Sequence, residues 1–257
     1  MNLIISGLQY DIIWENKQAN LTKINHLIND VSPATDVILL PEMFTTGFSM
    51  NTLELAESMS GNTVNWMKDT AKRIDKVVAG SIIIKEENKY RNRFLWIQPN
   101  GKIQFYDKRH SFGLGDEDKH FTNGNIQKII EYKGWRIFPI ICYDLRFPEW
   151  IKNRFEYDLI INVANWPSVR ATHWRSFLKS RAIENQSYVF GLNRIGIDAK
   201  DRHYSGDSEV VDYNGDTMNY LGETEGIISA NLSKDKLYSF RKKYPFLKDQ
   251  DKFDIEI

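Results

Sequence analysis

A single cysteine, Cys142, stands in a chain of 257 residues. No internal disulfide can staple the fold, and the reducing cytoplasm is the expected compartment. Net charge is missing too, because 34 basic and 34 acidic side chains cancel. Without a cationic excess nothing marks nucleic acid or an anionic membrane as the main partner, which leaves a small molecule as the expected ligand. No apolar run is long enough to span a bilayer. The start, Met1-Asn-Leu-Ile-Ile-Ser-Gly, lacks the basic region and long apolar stretch of a secretory signal. The five histidines show no His-x-x-x-His or Cys/His spacing, so no metal is expected. A Gly-x-Ser-x-Gly elbow, a phosphate-cradling glycine loop and a Gly-x-Gly-x-x-Gly fingerprint are equally absent. With no repeat, low-complexity tract or Pro/Gly/Ser-rich linker, residues 1–257 are expected to form one domain.

What is present points to a layered fold. Hydrophobic residues make up 42% and charged residues 26%, which excludes a disordered or fibrous class and leaves one large core to bury. Short apolar runs rich in β-branched residues recur at 3–8, 37–40, 77–84, 94–97, 103–106, 135–141, 159–164 and 188–193, the pattern of largely buried strands. Between them lie stretches with helical spacing: Leu21, Ile24, Leu27, Ile28 and Val31, then Val64, Met67, Ala71 and Ile74. A third carries Trp174, Phe177, Leu178 and Ala182 on one face, with Thr172 as the expected N-cap. Alternating strands and helices make an α/β fold. From 77 to 106 the alternation stops, because Asn88-Lys89 and Pro99-Asn100-Gly101 are turn signals with no room for a helix. A hairpin-like insertion into a mixed sheet is expected there. The charged and aromatic tail after Tyr244 is expected to pack over a surface or a partner.

In open α/β sheets, ligand-handling residues gather beyond the carboxyl ends of strands. Three such ends carry reactive groups: one runs into Glu42, one into Lys108 and one into Cys142. Cys142 leads into Tyr143-Asp-Leu-Arg-Phe-Pro-Glu-Trp, a turn and a helix start with Pro148 in the first turn. Free backbone N–H groups, a helix dipole and Arg146 would there favour a thiolate and stabilise an oxyanion. Taken alone, the thiol is as readily a small buried hydrophobe. Glu42, desolvated against Met43, Phe44 and Phe48, suits a general base, although a carboxylate after a strand is more often a surface charge. Lys108 lies between Asp107 and Arg109, and Glu117 between Asp116 and Asp118; both patterns belong to solvated loops. A Cys–His dyad with His110, His173 or His203 is the competing arrangement.

As whole motifs, these segments resemble the nitrilase (carbon–nitrogen hydrolase) superfamily, whose catalytic set is a glutamate, a lysine and a cysteine with a second glutamate. Leu39-Leu-Pro-Glu-Met-Phe is similar to the family's glutamate segment and Tyr106-Asp-Lys-Arg-His to its lysine segment. Ile141-Cys-Tyr-Asp-Leu-Arg-Phe-Pro-Glu is similar to its nucleophile segment, and Arg181-Ala-Ile-Glu-Asn and Tyr204-Ser-Gly-Asp-Ser follow in family order. Glu117 is matched to the second glutamate through Phe121 and Gly124 downstream. Asp116 and Asp118 are the alternatives, because Phe112-Gly-Leu-Gly-Asp departs from the commonest family pattern. The resemblance implies a mixed-sheet α-β-β-α sandwich that pairs into four layers as a homodimer. It also implies cofactor-free amide hydrolysis through a cysteine thioester. Glu42 would be base and acid, Lys108 and the Tyr143 N–H would hold the oxyanion, and Glu117 would orient Lys108. No histidine is required.

The residues after the cysteine narrow the substrate. Family nitrilases usually continue Trp-Glu, whereas Cys142-Tyr-Asp is similar to the branch that cleaves ω-amides. Asp107-Lys-Arg-His-Ser-Phe, Asn165-Trp-Pro and Phe240-Arg-Lys-Lys-Tyr-Pro resemble bacterial ω-amidases acting on 2-oxo acid amides such as 2-oxoglutaramate. A substrate with a carboxylate calls for a cation, and Arg109, Arg146 and Arg194 are the candidates. Phe48, Phe112, Tyr143 and Trp166 are candidate walls for its short carbon chain. Hydrolysis of an N-carbamoyl amine or another amide, and a non-catalytic binding role, are the competing readings.

Overall fold

The computed structural model describes residues 1–256. The chain opens with β1 (Asn2–Gln9), α1 (Lys17–Ile28), β2 (Val37–Leu39), the short α2 (Thr52–Leu55) and α3 (Asn62–Ile74). Next come β3 (Val77–Glu86), β4 (Lys89–Ile97), β5 (Ile103–Asp107), α4 (Glu117–His120), β6 (Ile130–Tyr132), β7 (Trp135–Ile141) and α5 (Pro148–Ile151). The second half adds β8 (Leu159–Ala164), α6 (Ala171–Asn185), β9 (Tyr188–Asn193) and the hairpin β10 (Ile195–Ile197) and β11 (His203–Ser205). It closes with β12 (Ser208–Val211), β13 (Thr217–Leu221), β14 (Gly226–Ser233) and α7 (Lys234–Lys243).

Two six-stranded sheets result, ordered β14-β1-β2-β3-β4-β5 and β13-β12-β9-β8-β7-β6. Both are mixed: β1-β2-β3 and β7-β8-β9 run parallel, and antiparallel strands flank them. The pleat explains the layering. Val37, Leu39, Val77 and Ala79 point into a core shared with Ile137 and Ile161 of the second sheet. Their neighbours Ile38, Leu40 and Val78 point the other way, onto Leu21 and Ile24 of α1 and Val64 and Met67 of α3. A strand with both alternating sets apolar is buried on both faces. Each such side chain contributes about 1.5–3 kcal/mol of burial. Trp174, Leu178 and Ala182 of α6 join the core from beyond the second sheet. The layers therefore run α-β-β-α, as the family resemblance implies.

Two details differ from expectation, and the tail follows it. The first hairpin turns at Glu87-Asn88, one residue early, with Glu87 at φ 54° and Lys89 already in β4. Thr172 is not the cap of α6: it is the second helical residue, and Arg170 precedes the helix without a side-chain cap. The cause is the 3-10 turn Ser168–Arg170, which runs straight into the helix (Arg170 N to Pro167 O, Ala171 N to Ser168 O), so that the helix has already begun before Thr172. The tail covers this chain's own surface, with Arg154 donating to the Phe253 carbonyl at 2.8 Å and Ile255 packed against the core.

Candidate active site

The three reactive side chains come from turns just beyond strands of both sheets. β2 ends at Leu39, and a tight turn with Met43 at φ 44° presents Glu42. Lys108 follows β5 directly, its backbone N–H donating to the Asn92 carbonyl at 3.0 Å. Cys142 follows β7 directly at φ 45°, a conformation that a residue with a Cβ seldom adopts and that marks stored strain at a functional turn. It opens the 3-10 turn Cys142–Arg146, whose first N–H groups have no acceptor within the turn. Asp144 fastens this elbow from behind. Fully buried, it accepts from Ile141 N at 3.0 Å, Tyr106 Oη at 2.8 Å, and His110 N and Nδ1 at 2.9 and 2.8 Å. The lysine segment and the cysteine segment are thereby tied to one carboxylate.

On the floor of the site the charges are buried and interlocked. Lys108 Nζ donates to Glu42 Oε1 at 2.9 Å and to both Glu117 oxygens at 2.9 Å. Asn92 Nδ2 bridges the same carboxylates, at 2.8 Å from Glu42 and 3.3 Å from Glu117. Glu42 Oε2 accepts from the Asn165 backbone N–H at 2.8 Å, and the Asn165 amide donates to the Glu42 carbonyl at 2.6 Å. Glu117 also accepts from the Phe112 N–H at 2.7 Å. Among the three neighbouring acids the structure selects Glu117: it is 0% exposed, whereas the Asp116 side chain is 59% exposed and paired with Lys119, and Asp118 is exposed.

Electrostatics overturn one expectation. Burial raises the Cys142 thiol well above the ordinary range and the charge of Glu42 raises it further, while Lys108 opposes them only in part. A resting thiolate is therefore not favoured, despite the helical turn. Burial alone would lower Lys108, but the charges of Glu117 and Glu42 more than offset it and hold the ammonium protonated. Glu117 is raised above an ordinary carboxylate by burial and by Glu42, against the pull of Lys108.

Above this floor lies a cavity of about 440 Å³, lined by Cys142, Lys108, the four expected wall residues Phe48, Phe112, Tyr143 and Trp166, and the candidate cation Arg146. Of the three candidate cations only Arg146 lines it. Arg109 lies over the Trp150 ring, and Arg194 is buried against Asp11 and Tyr204. The Arg146 guanidinium lies 5.2–5.8 Å from the ring centres of Tyr143, Trp166 and Phe177. Its Nη2 meets His173 Nδ1 at 2.9 Å, so that imidazole acts as an acceptor. His110 is engaged by Asp144, while His203 lines the cavity and meets Ser168 and Glu223. Asn92, Arg170 and Arg202 carry no mark in the sequence, and Asn165 stands out there only as part of the Asn165-Trp-Pro segment. Its signal is a polar residue closing an apolar strand run.

A buried thiol, two carboxylates and an ammonium at the base of a pocket in an α-β-β-α sandwich define a class of hydrolases that cleave carbon–nitrogen bonds. The chain matches the carbon-nitrogen hydrolase family over residues 5–242 and belongs to it. It is 43% identical to omega-amidase YafV of Escherichia coli (strain K12) over 253 residues, 98% of either chain. It is 34% identical to the 2-oxoglutaramate amidase of Bacillus subtilis (strain 168), over 97% of this chain and 98% of that one. A crystal structure of a CN-hydrolase superfamily protein from Xanthomonas campestris, with an arsenic adduct in its active site, superposes with a TM-score of 0.97. It shares 38% identity, and the match covers 100% of both chains.

Proposed function

We propose that this protein hydrolyses the ω-amide of small 2-oxo dicarboxylic acid monoamides, converting 2-oxoglutaramate to 2-oxoglutarate and ammonia. The observation that carries the reading is the Glu42–Lys108–Glu117 cluster beneath Cys142, on the floor of a cavity whose wall holds Arg146, a guanidinium with no carboxylate within ion-pair distance among the described residues. Similarity to the Escherichia coli and Bacillus subtilis amidases supports the same substrate.

In this mechanism Glu42 takes the thiol proton as sulfur attacks the amide carbon. Moving that proton to Glu42 leaves the total charge of the floor unchanged, so the step is compatible with a thiol that resists ionisation on its own. The electron pair displaced onto the carbonyl oxygen meets the Lys108 ammonium, whose contact with Glu117 narrows from two oxygens to one and so frees an N–H, and the Tyr143 backbone N–H. Collapse breaks the C–N bond, and Glu42 returns its proton to the departing nitrogen. Water then attacks the thioester, again losing a proton to Glu42, and the thiol reforms as the carboxylic acid leaves. Glu117 holds Lys108 in place throughout. Arg146 receives the substrate carboxylate, and Phe48, Phe112, Tyr143 and Trp166 flank the carbon chain.

Residues 1–257 act as one domain, a homodimer forms through the helical layers, and the enzyme works in the cytoplasm without a cofactor. None of the described helices is long and apolar enough to cross a membrane. The test is ammonia release from 2-oxoglutaramate beside N-carbamoyl amino acids, aliphatic amides and nitriles. No turnover of the 2-oxo acid amide, with good turnover of another compound, would refute the substrate assignment.

A further inference from the structure

The cavity is electrically polarised along its depth. Its floor carries Glu42 and Glu117 against one ammonium, an excess of negative charge. Its wall and mouth carry three guanidinium groups, Arg146, Arg170 and Arg202, and one carboxylate, the exposed Asp201. None of the three arginines lies within ion-pair distance of a carboxylate among the described residues, whereas Arg93, Arg181 and Arg194 do. Arg170 enters from the 3-10 turn before α6 and lies 5.1 Å from the Phe112 ring centre. Arg202 comes from the β10–β11 hairpin, where Asp198 Oδ1 accepts its backbone N–H at 3.0 Å and leaves the side chain uncommitted. Arg146 alone is enough to fork onto one carboxylate. Two further cations at the same mouth need another purpose.

We propose that Arg170 and Arg202 are specificity-determining residues that reject amides bearing an ammonium beside the carboxylate, so that the 2-amino analogue, glutamine, is excluded while the 2-oxo acid is admitted. The inference rests on the ω-amidase reading above. With the amide on the floor and the carboxylate at Arg146, the substituent at C2 faces the mouth. A keto oxygen there is an acceptor and welcomes cations. An ammonium finds no buried carboxylate at that level and meets two more positive charges. Discrimination then comes from an unfavourable charge placement against the wrong ligand, in addition to contacts with the right one. Because Arg170 and Arg202 are partly solvent-exposed, the effect is screened by salt, with a Debye length of about 8 Å at physiological ionic strength.

The experiment compares kcat/KM for 2-oxoglutaramate, glutamine and the C2-unsubstituted glutaramate. It uses the wild type, the R170Q/R202Q double variant and the charge-keeping R170K/R202K double variant, each at low and high sodium chloride. The expected result for R170Q/R202Q is a gain of about tenfold on glutamine with a modest loss on both anionic amides, a change of opposite sign that damage to the fold cannot produce. R170K/R202K should keep the wild-type preference, and high salt should narrow that preference in the wild type but not in R170Q/R202Q. The proposal is overturned by an unchanged glutamine rate in R170Q/R202Q, or by all three substrates falling together, which would make these arginines carboxylate ligands. Wild-type protein that ignores 2-oxoglutaramate while cleaving another amide would instead sink the underlying reading.

Discussion

The floor and the mouth of the cavity handle charge in opposite ways. On the floor every charged group is buried and answered: Lys108 by two carboxylates, and both carboxylates by Asn92, with Glu42 also served by Asn165 and Glu117 by Phe112. At the mouth the guanidinium groups are partly exposed and have no carboxylate partner among the described residues. A buried charge must be paired to be tolerated, and pairing fixes its geometry, which is what bond-making requires. A solvated charge can stay unpaired and remain free for a ligand. On the proposed mechanism the floor carries the chemistry and the mouth the selection.

The most direct way to break this assignment is to empty the floor. Cys142→Ala should lower kcat by about four orders of magnitude or more, and Glu42→Gln by about two to four, with far-ultraviolet circular dichroism unchanged. Full activity in Cys142→Ala would end the mechanism. Next in size, Lys108→Met leaves two buried carboxylates facing each other and should cost about 3–5 kcal/mol. At roughly 2–4 °C per kcal/mol, that is a loss of 6–20 °C in Tm. Its pH dependence follows from Glu117, whose carboxyl is already raised in the folded state. A raised carboxyl favours the fold when protonated, so its stabilisation is present below the unfolded value and is lost as pH rises through the folded one. The Lys108→Met defect should therefore shrink on going from pH 8 to pH 5, and a pH-independent defect would show that charge is not its cause.

The two regions also differ in how far the sequence disclosed them. Glu42, Lys108 and Cys142 stood out as candidates because each comes just past a strand, but position alone left them as readily a surface charge, a loop charge and a packing thiol, and it was the resemblance of their whole segments to one family that joined them into a set. The burial of β2 and β3 was legible, since their doubly apolar runs require cover on both faces. Asn92 was not: it lies between Arg91 and Arg93 in β4, and only the fold shows that it turns inward to bridge two glutamates. Arg170 and Arg202 reach one cavity from separate loops, and no spacing rule relates a 3-10 turn to a distant hairpin. The short outer strand β13 escaped for another reason: Thr217 to Tyr220 are exposed, so no apolar pattern marks it. The helical turn at Cys142 was legible, but burial and the two carboxylates raise the thiol and Lys108 opposes them only in part, which no local pattern discloses.

At the mouth, Arg146→Gln tests whether selection is separable from chemistry. Loss of one charge-assisted fork should raise KM for an anionic amide about ten- to a hundredfold while kcat changes by no more than about threefold. A comparable fall in kcat would place Arg146 in the chemistry, and the division between floor and mouth would fail. Neutral aliphatic amides give the internal control, since their KM should not depend on this guanidinium.

The smallest effect sharpens the comparison most, because it compares neighbours in the chain. Asp116, Glu117 and Asp118 carry the same charge, yet only Glu117 is turned inward, where Lys108 and the Phe112 N–H hold it. Asp116 adopts a left-handed conformation at φ 61°, which ends the 3-10 turn Gly113–Gly115 and lets the chain start α4 with Glu117 facing the lysine. Asn tolerates that backbone nearly as well as Asp. Asp116→Asn and Asp118→Asn should each keep kcat/KM within about twofold and stability within about 0.5 kcal/mol, as expected for exposed positions. Glu117→Gln should lose about a hundredfold, because both oxygens receive donors and the new amide NH2 would oppose one of them. If Asp116→Asn matched that loss, the inward carboxylate would have been misassigned, and with it the partner that steadies Lys108.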